Sequence, residues 1–201
     1  MVFKTSSSYV LSGAMFLFLV TFSSYAERAV KDENIMVLQS LVTELSLGRI
    51  QDPFAVAKTI YEESYKHKID PLLVIAVVHI ESSFRPHVIS KKGAVGLMQI
   101  MPKTGREVAS WLKWAKYSEH DLFDPIKNIR LGIYYLKKVK LKFKSKRMLY
   151  LTAYYLGPTR LMALQQEDPS TLRYLYAKRV LRVFNDLKAR KIILADNKNG
   201  L

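Results

Sequence analysis

The 201 residues suit one domain of ordinary size with short appendages, long enough to bury a core without staples. At 49% hydrophobic and 24% charged residues the composition is globular, and with no cysteine it excludes disulfides, thiol catalysis and cysteine metal sites. A formal net charge of +15 asks for an acidic partner: nucleic acid, an anionic membrane or an acidic cell-wall polymer.

Residues 1–26 read as a signal peptide. Lys4 supplies the positive start, YVLSGAMFLFLVTF the apolar stretch, and Ser24, Tyr25 and Ala26 a small-x-small site. The stretch is shorter than the ~20 residues of a spanning helix, so cleavage after Ala26 is expected rather than an uncleaved anchor. The expected location is then the periplasm or cell envelope. Export argues against nucleic acid. Peptidoglycan, with its lactyl and peptide carboxylates, fits both charge and export.

Residues 27–52 form an N-terminal helical extension. Over 33–48 the apolar residues Ile35, Leu38, Val42 and Leu45 share one helical face, and Gly48 is the stop signal. Asp52 and Pro53 open a second helix to about Lys66, with Phe54, Ala57, Ile60, Tyr61 and Tyr65 expected inward. Glu62 and Glu63 are adjacent, so they point different ways, and a solvated face is expected.

Next comes IDPLLVIAVVHIESSFRPHVISKKGAVGLMQIMPKT, residues 69–104. Asp70 is placed to cap a helix and Pro71 suits its first position. The apolar residues of PLLVIAVVHI surround the axis, which predicts a buried helix. Glu81 therefore falls in the last turn, among apolar neighbours and near the negative end of the helix dipole. Both effects disfavour ionisation and raise its pKa. A carboxyl group kept protonated near neutral pH is what a general acid needs. The segment Gly93-Ala94-Val95-Gly96 gives backbone freedom where a polymer could approach closely.

ESSFRPHVISKKGAVGLMQIMPKT resembles the catalytic core of the soluble-type lytic transglycosylases, which share a fold with goose-type lysozyme. The resemblance runs from Glu81 and Ser82 through Phe84, Pro86, Ser90, Gly93, Ala94 and Gly96 to Leu97, Met98, Gln99, Pro102 and Thr104. It implies an all-α, lysozyme-like helical domain with a substrate cleft.

A helix from Pro102 to about Lys113 carries Val108, Trp111 and Leu112. Trp111 and Trp114 could stack on sugar rings, but buried packing is the commoner fate of such residues. Asp124 and Pro125 cap the next helix, DPIKNIRLGIYYL, which also resembles the family. Asn128 is read as bonding nearby backbone and Gly132 as allowing close helix packing. Residues 137–147, KKVKLKFKSKR, form the densest basic run. Its alternation alone would suit a strand; the resemblance implies a helix end and a turn. The run either holds anionic glycan or membrane headgroups or is merely a solvated face.

MLYLTAYYLGPTRL reads as a short helix closed at Gly157 and Pro158. By resemblance Tyr154 matches a tyrosine near the catalytic acid. Tyr155 stands where the family has an asparagine that helps hold the sugar's N-acetyl region. The last helix, from about Ser170 to Arg190, carries Leu175, Tyr176, Val180, Leu181 and Phe184. Tyr176 matches the family's closing tyrosine, whereas Leu172 replaces an expected acid. The domain reading is thus 53–190 for the catalytic part and 191–201 for a loose tail.

Ordinary glycosidases use two carboxylates. No Asp or Glu lies between Ser82 and Arg106, and nothing in the spacing selects Glu107, Asp121 or Asp124 as a partner. The family chemistry needs only one. By resemblance, Glu81 protonates the oxygen joining N-acetylmuramic acid to N-acetylglucosamine, the muramyl acetamido group shields the developing cation, and the carbon-6 hydroxyl closes a 1,6-anhydro ring. The same resemblance has Ser82 orienting Glu81, Tyr154 and Tyr176 near its carboxyl, and Gly96, Leu97, Met98, Gln99 and Tyr155 at the substrate. For Met98, core packing stands equally as a reading; Gln99 has polar ends to aim at sugar hydroxyls.

No metal or cofactor is expected, since His67, His79, His87 and His120 show no ligand spacing and no cysteine accompanies them. The expected partners are peptidoglycan glycan strands, a cell-envelope protein, and membrane through residues 137–147, with the chain a monomer and nucleic acid excluded. The rival readings are a lysozyme-type muramidase and a non-catalytic peptidoglycan-binding scaffold.

Overall fold

A computed structural model describes residues 13–167 and 174–199, the backbone alone at 13–20, 22 and 191–199. The described chain is helical: α1 Gly13–Ser46, α2 Pro53–His67, α3 Pro71–Ser82, α4 Pro102–Trp111, α5 Pro125–Lys142, α6 Arg147–Leu156, α7 Pro158–Glu167 and α8 Leu175–Asn199. A 3-10 helix, Glu119–Phe123, lies between α4 and α5. The chain divides into two units, Met1–Asn34 and Ile35–Leu201. The described part of the first is the N-terminal portion of α1, which includes Ala26, the expected cleavage point. Among the described residues no helix is long and apolar enough to cross a membrane.

Within the second unit the helix starts follow local chemistry. Asp52, Asp70 and Asp124 each accept a backbone N–H of the first turn, and a proline follows each of them. Residues 72–78 of α3 are all buried, so this helix is the centre of the core, packed against α2 and α8. At roughly 1.5–3 kcal/mol per buried aliphatic side chain, that burial outweighs any single cap of ~1 kcal/mol. Around it α5 packs on α2, α4 and α6, and α6 packs on α7 and α8. Gly132 of α5 faces Met98 so closely that a methyl group there would overlap the methionine side chain.

Several faces differ from the periodicity reading. On α2 the buried residues are Val56, Ala57, Thr59, Ile60 and Ser64, while Phe54 (47% exposed) and Tyr65 (80%) point outward. The helix is apolar on more than one stripe, and the stripe facing α3 and α5 is the one buried; Tyr61 is partly buried beside it. On α8, Leu175 at the first position is 64% exposed, whereas Tyr176, Val180 and Phe184 are buried. Residues 137–147 are helical through Lys142, turn, and re-enter helix at Arg147, so alternation there marks no strand. The helix α8 runs on to Asn199, through the stretch read as a tail. Leu172 lies outside the described residues.

Candidate active site

Glu81 is placed by the end of α3. The helix closes at Ser83 in the left-handed conformation (φ 50°), and Phe84 follows in the same region (φ 58°). Two successive non-glycine residues there cost about 1–2 kcal/mol each. Burial of the Phe84 ring, which is fully enclosed, offsets that strain. Arg85 Nε donates to the Ser82 carbonyl at 2.9 Å and steadies the same turn.

The loop after it folds back on itself. The Ser90 N–H donates to the Ala94 carbonyl, and the Ala94 N–H to the Ser90 hydroxyl. Val95 bridges to Ile89 and Ile100, and the Gly96 N–H reaches the Val88 carbonyl at 3.0 Å. Gly96 has φ 79°, and a side chain there would strike Asn128 and the Leu122 carbonyl. Only glycine fits.

This loop is fastened by three side chains from three helices. The buried Ser82 hydroxyl of α3 donates to the Leu97 carbonyl at 2.9 Å. The fully buried Asn128 of α5 accepts from the Met98 N–H at 2.8 Å and donates to the carbonyls of Val95 (3.0 Å) and Leu122 (2.7 Å). Tyr154 of α6 donates to the Met98 carbonyl at 2.8 Å. Asn128 thus bonds backbone as the sequence suggested, but it ties segments together from across the fold.

These bonds correct the expected positions. The single proton of the Ser82 hydroxyl is held between the Leu97 carbonyl (2.9 Å) and the Val78 carbonyl (3.1 Å), not given to Glu81. Gly96, Leu97 and Met98 are buried, and the Met98 side chain packs against Gly132 in the core instead of lining the cleft. Gln99 does reach the cleft, but its amide nitrogen donates to the carbonyls of Val88 (3.2 Å) and Gly96 (3.0 Å). Two carbonyl partners require the nitrogen on that side, leaving the amide oxygen to meet a ligand.

Tyr176 of α8 is the residue that touches the acid. Its hydroxyl donates to Glu81 Oε1 at 2.6 Å. Burial pushes the Glu81 pKa up to about 7, against the Tyr176 hydrogen bond and the Arg179 charge, which both pull it down. The Tyr154 and Tyr176 hydroxyls are held well above the usual tyrosine range, chiefly by burial, so both remain donors.

A cleft of about 530 Å³ opens over Glu81, lined also by Gln99, Tyr135, Tyr154, Tyr155 and Thr104. Its rim carries Lys91, Lys92 and Arg160, all exposed. Among the described lining residues Glu81 is the only acid. Asp121 is paired with Lys127 at 2.6 Å, and Asp124 caps α5. Glu107 is exposed on α4 and is not part of the lining. Trp111 and Trp114 do not line it either; Lys138 lies over the Trp111 ring, 4.8 Å from its centroid. Among the described residues no three His, Cys, Asp or Glu side chains converge as a metal site would need.

Sequence reasoning missed Tyr135, the rim cations and Arg179. Arg179 had a signal, three positions after Tyr176 on one helix. Tyr135 packs its ring on Tyr154, with centroids 5.3 Å apart, a contact with no local trace.

A part-buried carboxyl group at a helix end and a pinned glycine loop sit in an all-α, lysozyme-like frame. The model of the Transglycosylase SLT domain matches residues 58–176, and the chain belongs to that family. Membrane-bound lytic murein transglycosylase C of Haemophilus influenzae (strain PittGG) is 30% identical over 156 residues, 69% of this chain and 44% of that protein. The protein of the same name from Edwardsiella ictaluri is 35% identical over 114 residues, 52% of this chain and 32% of that one. Among solved structures, an inactive mutant of the lytic transglycosylase Slt from Pseudomonas aeruginosa matches with a TM-score of 0.60 at 27% identity, over 66% of this chain and 24% of its own. The 70 kDa soluble lytic transglycosylase from Escherichia coli gives 0.60 at 25% identity, over 69% and 26%. The chain therefore spans less than half the length of these relatives.

Proposed function

We propose that the chain is an exported peptidoglycan lytic transglycosylase. It cleaves the β-1,4 bond between N-acetylmuramic acid and N-acetylglucosamine without water and leaves 1,6-anhydro ends. The observation that carries this reading is Glu81, alone as an acid in the described cleft, with its pKa at about 7. Near neutrality a large share of Glu81 is protonated and can give its proton to the glycosidic oxygen as the bond to the anomeric carbon breaks. The muramyl acetamido group shields the developing positive charge, so the substrate serves where other glycosidases use a second carboxylate. The Glu81 carboxylate then accepts the proton of the carbon-6 hydroxyl, whose oxygen bonds the anomeric carbon. One C–O bond breaks, one forms, and the acid is restored.

In this reading Tyr176 holds the carboxyl through its hydroxyl, while Ser82, Asn128 and Tyr154 keep the loop beneath the substrate. Gln99 and Tyr155 meet the sugar. The rim cations Lys91, Lys92 and Arg160 suit a polymer bearing carboxylates. The signal-like segment 1–26 supports export, as do the murein-directed, membrane-bound names of the relatives. We also assign the basic run 137–147 to the anionic surfaces of the envelope.

The test is digestion of purified peptidoglycan with mass analysis of the released fragments. Anhydro-muramyl products that disappear with Glu81→Gln are expected. Products heavier by one water would make the chain a muramidase, and binding without cleavage would make it a scaffold.

A further inference from the structure

Tyr155 is 58% exposed, so burial alone does not explain its place. Yet its ring lies flat on that of Tyr176, with centroids 4.8 Å apart and planes 11° from parallel. Tyr176 is only 7% exposed, and its hydroxyl is the one that reaches Glu81. Successive residues of a helix point in different directions. Tyr154 goes inward to Tyr135 and the Met98 carbonyl, and Tyr155 goes into the cleft. One face of the Tyr155 ring is against Tyr176, while the residue as a whole stays open to the cleft.

We propose that Tyr155 is a positioning residue: its ring is the cover that keeps water from the Glu81–Tyr176 pair, and its open face is where a pyranose of the substrate stacks. The stacking half rests on the glycan-cleaving reading above; the covering half rests on the Tyr155 ring lying over Tyr176, the partner of Glu81. An aromatic face suits the apolar side of a sugar ring, and a sugar seated there completes the cover.

The groups facing Glu81 set the sign of the test. Tyr176 and Arg179 come from α8 and Tyr154 from α6, with Tyr135 of α5 behind Tyr154, and Lys91, Lys92 and Arg160 stand on the rim of the same cleft. The Tyr176 hydrogen bond and the Arg179 charge favour the carboxylate; burial favours the acid and prevails. Removing the Tyr155 ring admits water and weakens the larger influence, so Glu81 releases its proton at lower pH.

The experiment is a carbon-13 NMR titration of the Glu81 carboxyl in the full chain, in Tyr155→Ala and in Tyr155→Phe, with the signal assigned by its absence from Glu81→Gln. It needs no substrate. The Glu81 midpoint is expected to fall by about one pH unit in Tyr155→Ala and to stay near that of the parent in Tyr155→Phe. On peptidoglycan, Tyr155→Ala lowers kcat/KM by about tenfold with a raised KM and moves the alkaline limb of the rate profile to lower pH, and the phenylalanine variant recovers most of the loss. A Glu81 midpoint unchanged or raised in a folded Tyr155→Ala overturns the cover. An unchanged KM overturns the stacking. A lowered midpoint in a chain that proves inactive on peptidoglycan supports the cover and counts against the proposed function instead.

Discussion

The Tyr154 hydroxyl donates to the Met98 carbonyl at 2.8 Å and so is committed to the loop, although the Glu81 charge is near enough to raise its pKa. The tyrosine that bonds the acid is Tyr176, from a different helix. Tyr154→Phe should leave the buried Met98 carbonyl unpaired and lower stability by about 1–3 kcal/mol. Urea unfolding measures this. Lost activity with unchanged stability would instead put Tyr154 at the reacting atoms.

Asn128→Leu removes one acceptor and two donor contacts at once, in a fully buried site. The expected loss is about 3 kcal/mol or more. Proteolysis should then cut first within residues 88–100. A variant as stable as the parent would show that the loop holds its shape without this clamp.

Ser83→Gly relieves one of the two left-handed residues after Glu81. Stability should rise by about 0.5–1 kcal/mol, the relief of strain partly offset by the extra freedom of glycine when unfolded. Thermal denaturation reads the sign directly. A fall would mean that the turn carries no strain worth relieving.

Glu81 makes stability depend on pH in an unusual direction for a carboxylate. Its folded pKa, about 7, lies above the ordinary 4.5, so the folded state holds the proton more tightly. Its stabilising contribution is full below about pH 4.5 and is lost as pH rises through about 7, a change of roughly 3 kcal/mol at most. Glu81→Gln should therefore be nearly neutral at pH 4 and more stable than the parent at pH 8. The rate on peptidoglycan should fall above about pH 7 for the same reason, since the first step needs the acid form. Equal stability of the two proteins across that range would argue for an ordinary carboxylate.

The exposed rim cations predict salt sensitivity. Replacing Lys91, Lys92 and Arg160 together with glutamine should raise KM several-fold at low salt and remove most of its dependence on ionic strength, with kcat little changed. Initial rates on soluble glycan strands at two salt concentrations decide it. A KM that ignores both salt and substitution would leave the rim a solvated surface.

What the sequence determined by itself was where the capped helices start and that α3 is buried. Asp52, Asp70 and Asp124 cap helices because a carboxylate reaches an N–H two or three residues on, whatever the rest of the chain does. The buried α3 was legible because its apolar residues surround the axis, and with it the raised pKa of Glu81, which needs only burial. Which face of α2 is covered was not legible, because Phe54 and Tyr65 suit an inner face as well as Val56 and Ile60 do, and the packing of α3 and α5 made the choice. Nor were the partners of Ser82 and Tyr154, since a hydroxyl bonds whichever acceptor the fold delivers. The carbonyls of Leu97 and Met98 arrive from 15 and 56 residues away. The stacking of Tyr155 on Tyr176 joins α6 to α8, and only the tertiary structure sets those two rings face to face.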